Sequence, residues 1–139
     1  MDITKILITR DAKINFLKGL IRLAKADGIR DDNEVVFYHQ AVNAMGLDAQ
    51  DCDKIDLLWE KDSCEIDISF ETNKEKMFFF IQAIQLCWID GSYTEEEREE
   101  IYKIASELQI SATAIQKVES WVNEGMAWNK RGNGLLELS

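Results

Sequence analysis

The residues best suited to chemistry lie in a short pattern that the sequence contains twice. Asp27-Gly28 is followed after five residues by Glu34, and Asp90-Gly91 after five residues by Glu97. Each copy follows an apolar run with helical spacing and opens another. Asp27 and Asp90 then fall at helix C-termini, where the helix dipole disfavours a carboxylate. They fit a purely structural role less well than the two glutamates do. If the two corners meet, four carboxylates share one site, and like charges so placed need a cation or raised pKa values. Hard oxygen donors suit Ca²⁺ or Mg²⁺. The plainer alternative is that Asp-Gly is a common turn and that a first-turn Glu serves as a cap.

The spacing of Asp27, Gly28 and Glu34 fits positions 5, 6 and 12 of an EF-hand loop, but the residue types at its other ligand positions argue against one. With Gly28 at loop position 6, the residues at positions 1 and 3 are Leu23 and Lys25, and in the second copy Leu86 and Trp88. Neither pair can supply the oxygen ligands which that loop needs.

The remaining chemistry is sparse. His39 is the only histidine and has no nucleophile beside it in sequence, so it reads as structural or surface. Cys52, Cys64 and Cys87 are widely spaced, form no CxxC pair, and read as reduced, small hydrophobes. No P-loop, GxGxxG or Gly-x-Ser-x-Gly occurs, and no catalytic residue is assigned. The net charge of −10 disfavours nucleic acid and anionic membrane surfaces, and leaves cations or basic protein faces as partners. No apolar run approaches the ~20 residues of a spanning helix, so membrane insertion is not expected. The reduced cysteines and the acidic, signal-free N-terminus lead to the expectation of a cytoplasmic protein.

The elements that must position the acids follow from periodicity and caps. The absence of proline and the abundance of Leu, Ile, Ala, Glu and Lys give an all-α expectation. Residues 2–10 form a short helix or arm. A helix over 13–26 carries Phe16, Leu20 and Leu23 on one stripe. Asp31 caps the next, which Gly46 ends. Asp48 caps a third, reaching about Glu60. Residues 61–72 are a linker whose apolar side chains dock on the bundle. Helices follow over 74–89, after Thr94 with Glu97 as its capping-box partner, and after Ser111 to near Gly125. The run Phe78-Phe79-Phe80 requires burial on more than one face of its helix.

Aligning 13–55 with 76–118 leaves nine identities, among them Lys13/Lys76, Phe16/Phe79, Asp27/Asp90, Gly28/Gly91 and Glu34/Glu97. The cap positions Asp31/Thr94 and Asp48/Ser111 also fall in register. The expected fold is a compact helical bundle of two repeated three-helix units, repeat A over about 12–60 and repeat B over about 74–124. Together they make a single domain, 1–125, followed by a tail, 126–139.

The helix–Asp-Gly-x5-Glu–helix unit, present at Ala26-Asp27-Gly28…Glu34 and Ile89-Asp90-Gly91…Glu97, resembles the TerB-like domain family, named for a tellurite-resistance protein. The resemblance spans roughly 12–122. It implies an all-helical pseudo-repeat, no catalysis, a link to stress or tellurite response, and an acid cluster holding a divalent cation, here Asp27, Glu34, Asp90 and Glu97. The long 61–72 linker and the leucine-containing tail depart from the family's commoner pattern. Trp128, Leu135 and Leu136 in that tail are candidate contacts for an unidentified protein partner or a second copy of the chain. The alternative reading is an interaction module without metal, its acids acting only as caps and turns.

Overall fold

The computed structural model describes residues 3–26, 39–62, 65–89 and 93–138. All regular structure within them is helical, and they contain no strand. Helix α1 is Ile3–Ile6 and α2 is Arg10–Ala26. Residues 39–44 are helical and are denoted α3. Then come α4 (Ala49–Leu58), α5 (Asn73–Ile89), α6 (Glu95–Glu107) and α7 (Ala112–Leu135). The expected cap Asp31 lies outside the described residues, as does Cys64.

Helix ends follow local chemistry. The Thr9 hydroxyl accepts from the Ala12 amide and starts α2 three residues earlier than periodicity alone indicates. Thr72 does the same for α5, accepting from the Glu75 amide, while the Glu75 carboxylate returns to the Glu71 and Thr72 amides. Asp48 and Asp51 form a reciprocal capping box at α4. Ser111 caps α7 by accepting from the Ala114 amide. At the other ends, Gly46 and Gln109 both take positive φ, 74° and 61°. In each case the next residue donates back across the turn, Leu47 to the Val42 carbonyl at 3.0 Å and Ile110 to the Ala105 carbonyl at 2.8 Å. This is a left-handed helix stop that satisfies otherwise orphaned carbonyls. Glycine takes it freely, whereas glutamine takes it at a cost. Gln109→Gly is therefore expected to stabilise the chain by about 1 kcal/mol, read as a higher urea midpoint with unchanged slope.

Several contacts recur at the spacing that separates Asp27 from Asp90. Helices α2 and α5 begin and end in that register, and α4 and α7 begin in it. Lys13 Nζ donates to the Met45 carbonyl at 2.9 Å, and Lys76 Nζ to the Leu108 carbonyl at 3.0 Å. The Thr9/Thr72 caps and the Gly46/Gln109 stops match in the same way.

Helix α2 packs on α4, α5 and α6, while α7 packs on α5 and α6. One apolar core results. Phe16, Leu17 and Ile21 of α2 meet Phe78, Phe79, Phe80 and Ile84 of α5, with Ile55, Ile101, Ile104 and Ile115 closing around them. All three phenylalanines of the run are buried, because α5 is covered from several sides. The linker docks through Ile66, which is buried, and through the half-buried Ile68 and Phe70.

Arg22 is a charged residue enclosed at this core and is 1% exposed. Its guanidinium reaches Glu100 Oε1 of α6 at 2.8–2.9 Å, Glu107 Oε2 at 2.8 Å and the Ile66 carbonyl at 3.3 Å. It thus ties α2 to α6 and to the linker. Near the other end of α2, the Arg10 guanidinium pairs with the Asp51 carboxylate. That hydrogen bond holds the Asp51 carboxyl below the usual carboxylate range.

The last helix does not end near Gly125, as its glycine suggests, but continues to Leu135. Glycine in a helix interior costs only about 1 kcal/mol, and no proline is present to stop it.

Candidate functional sites

Of the four acids expected to cooperate, Asp27, Glu34 and Asp90 lie outside the described residues. Glu97 sits at the third position of α6. Its Oε1 accepts from the Thr94 amide and from the Thr94 hydroxyl, each at 3.0 Å, and the Glu97 amide donates to that hydroxyl at 3.2 Å. Both halves of a capping box are formed, so Glu97 has a structural use of its own.

A second group comes from elements that sequence spacing does not link. Cys52 and Asp56 sit four apart on α4, which puts them on one helix face. The end of α3 nearer residue 39 lies against that face, and His39 Nε2 meets Asp56 Oδ1 at 2.5 Å. The His39 nitrogen, the Cys52 sulfur and an Asp56 oxygen all fall within 4.8 Å of one another. The three side chains are partly exposed. Burial pushes the Cys52 thiol pKa up, and the Asp56 and Asp53 carboxylates push it the same way. Sequence alone leaves His39 without a cysteine partner, because the contact crosses between helices. The one local signal is the four-residue spacing of Cys52 and Asp56.

The positions 63 residues further along the chain provide an internal comparison. There Tyr102 takes the place of His39, Ile115 that of Cys52 and Glu119 that of Asp56. The Tyr102 hydroxyl donates to Glu119 Oε1 at 2.6 Å. Arg98 adds an ion pair to Glu119 at 3.0 Å and stacks over the Tyr102 ring. Burial, then the bond to Glu119, holds the Tyr102 phenol above its ordinary pKa. Ile115 is fully buried. A polar link thus joins α3 to α4 and another joins α6 to α7, but only the first is flanked by a cysteine that completes a metal-ligating group.

The third site is the distal part of α7. Val118 and Val122 face the core and Met126 is half-buried, but every other residue from Asn123 to Leu138 is exposed. Trp128, Leu135 and Leu136 are 69%, 67% and 79% exposed, so none docks back on the bundle. Trp121, Trp128 and Leu135 recur every seven residues, and Gly125 and Gly132 lie four beyond the two tryptophans. On a helix these five residues make one stripe of alternating large and absent side chains. A Cβ at Gly125 or Gly132 would meet nothing within 4 Å, so no neighbour in the chain calls for glycine at either position.

No described helix is long and apolar enough to cross a membrane. The chain matches no family model, no curated protein and no solved structure.

Proposed function

We propose that the chain is a non-enzymatic interaction module, built as two related three-helix units in the manner of the TerB-like family, whose α7 pairs antiparallel with α7 of a second copy. The observation that carries this reading is the exposed Trp121–Gly125–Trp128–Gly132–Leu135 stripe. Five such residues facing water leave an apolar strip uncovered and include two interior glycines, which weaken the helix by about 1 kcal/mol each. A second helix accounts for both features. With the two-fold axis between residues 126 and 127, Trp121 faces Gly132 of the other copy, and Gly125 faces Trp128. Each indole then fills the space that a glycine leaves.

Charge favours the same arrangement. Glu124 and Arg131 are seven apart and so share one flank of the stripe. In an antiparallel pair that flank meets itself in reverse order, bringing Glu124 of each copy within reach of Arg131 of the other.

The relation between the units is supported by the helix limits, threonine caps, left-handed stops and lysine–carbonyl bonds that repeat in one register. The expectation that the acidic corners hold Ca²⁺ or Mg²⁺ rests on sequence alone, and Glu97 is engaged as a cap. Helix α7 therefore carries the functional reading.

The test is a charge-reversal cycle followed by sedimentation. Arg131→Glu alone and Glu124→Arg alone should each weaken self-association by roughly three- to tenfold, the worth of two exposed ion pairs per dimer. The double reversal should restore it. Single reversals without effect, or a double variant no better than either, would overturn the antiparallel pairing.

A further inference from the structure

We propose that His39, Cys52 and Asp56 form a site for one borderline transition-metal dication of the zinc type, with α3 supplying the imidazole and α4 the thiolate and the carboxylate. The site lies in a different part of the molecule from the α7 stripe and does not depend on its pairing.

The donor set itself selects the ion. A thiolate and an imidazole suit Zn²⁺ and its neighbours, and do not suit Ca²⁺ or Mg²⁺. Distances agree. Tetrahedral Zn²⁺ binds sulfur, nitrogen and oxygen at about 2.0–2.3 Å, which places its ligand atoms roughly 3.5 Å from one another. The three donors here are already within 4.8 Å of one another, with His39 Nε2 and Asp56 Oδ1 at 2.5 Å. Small side-chain rotations open the close pair and draw in the sulfur. Binding releases the Cys52 thiol proton to solvent, while the imidazole binds in its neutral form. The partial exposure of all three side chains leaves an entry path and a fourth position for water or an outside ligand.

The second half of the chain shows what these positions hold when only structure is served. Tyr102 and Glu119 make the link between helices, and Ile115 fills the core behind it. The first half keeps the link but makes all three positions ligating types, replacing the buried isoleucine with a half-buried thiol. A structural link alone does not require that third change.

The internal comparison also supplies variants that suit the fold. Cys52→Ile and His39→Tyr install what the corresponding positions already carry. Metal-free protein would be titrated with Co²⁺, which gives a thiolate-to-cobalt charge-transfer absorption and intense ligand-field bands when tetrahedral. The wild type should show both at one ion per chain, and Zn²⁺ should displace the cobalt. Cys52→Ile should lose the charge-transfer absorption, and His39→Tyr should lose the tight one-to-one endpoint. Tyr102→Phe should bind as the wild type does. If Cys52→Ile proves unfolded by circular dichroism, Cys52→Ser removes the thiolate with less change of volume and gives the same readout. No charge-transfer band in the wild type, or a band that survives loss of the Cys52 thiol, would overturn the site.

Discussion

Replacing Arg22 by alanine is expected to remove about 3–5 kcal/mol of stability, the cost of breaking a buried ion pair from one side. Most of that cost comes from Glu100, whose side chain is 12% exposed and would be left without a cation beside it. Glu107 contributes little, because it is 47% exposed and water already screens it. The Ile66 carbonyl would also lose a donor. Urea denaturation of the two proteins measures the difference. The double change Arg22→Met with Glu100→Leu should recover most of the loss, since an apolar pair of similar volume does without the desolvation of both charges. A single Arg22→Ala variant within about 1 kcal/mol of the wild type would show that the guanidinium is not the tie between α2 and α6 described above.

Gly19→Ala should destabilise the chain by about 2 kcal/mol or more, against the rule for helices. Alanine in a helix interior is favoured over glycine by about 1 kcal/mol. Here the added methyl would lie 2.3 Å from Phe79 Cε1 and 2.5 Å from its Cζ. The ring cannot retreat. Phe79 is fully buried, and the rings of Phe16, Phe70 and Phe80 stand 6.1, 5.9 and 5.1 Å from it. Overpacking of this kind costs about 1–3 kcal/mol on its own and more when nothing can shift. A thermal melt should show a drop of several degrees for a chain of this length. The double variant Gly19→Ala with Phe79→Leu should lose less than the two single losses combined, because the smaller side chain removes the clash. A higher melting point for Gly19→Ala would mean that α2 and α5 are not in such close contact.

These two residues also mark where the sequence is silent. Arg22 sits between Ile21 and Leu23, and no helical pattern says that a charge there is enclosed. Its acids come from α6, in the other half of the chain. Gly19 looks like a weak point in α2 until Phe79 is seen against it. The His39–Cys52–Asp56 group escapes sequence reading for the same reason. Local spacing gives the Cys52–Asp56 pair but not the crossing that brings His39 to it.

Features that depend only on neighbouring residues are readable. Asp48, Thr94 with Glu97, and Ser111 cap the helices that their positions predict. Gly46 ends its helix with positive φ. The alternating segment around Ile66, Ile68 and Phe70 docks without forming a strand. The end of α7 is misleading in sequence, because Gly125, Gly132 and Gly134 look like helix breakers. Glycine lowers helix stability without blocking the backbone hydrogen bond as proline does.

The molecular mass in solution tests the central claim most directly. Sedimentation equilibrium of the full chain over a range of concentrations should give twice the monomer mass of 16.0 kDa, with a reversible approach to one chain on dilution. Trp128→Lys should be monomeric at concentrations where the wild type is paired, with its helical circular dichroism retained. A wild type that stays at one chain mass across the range would contradict the pairing through α7, as would a dimer that Trp128→Lys leaves intact.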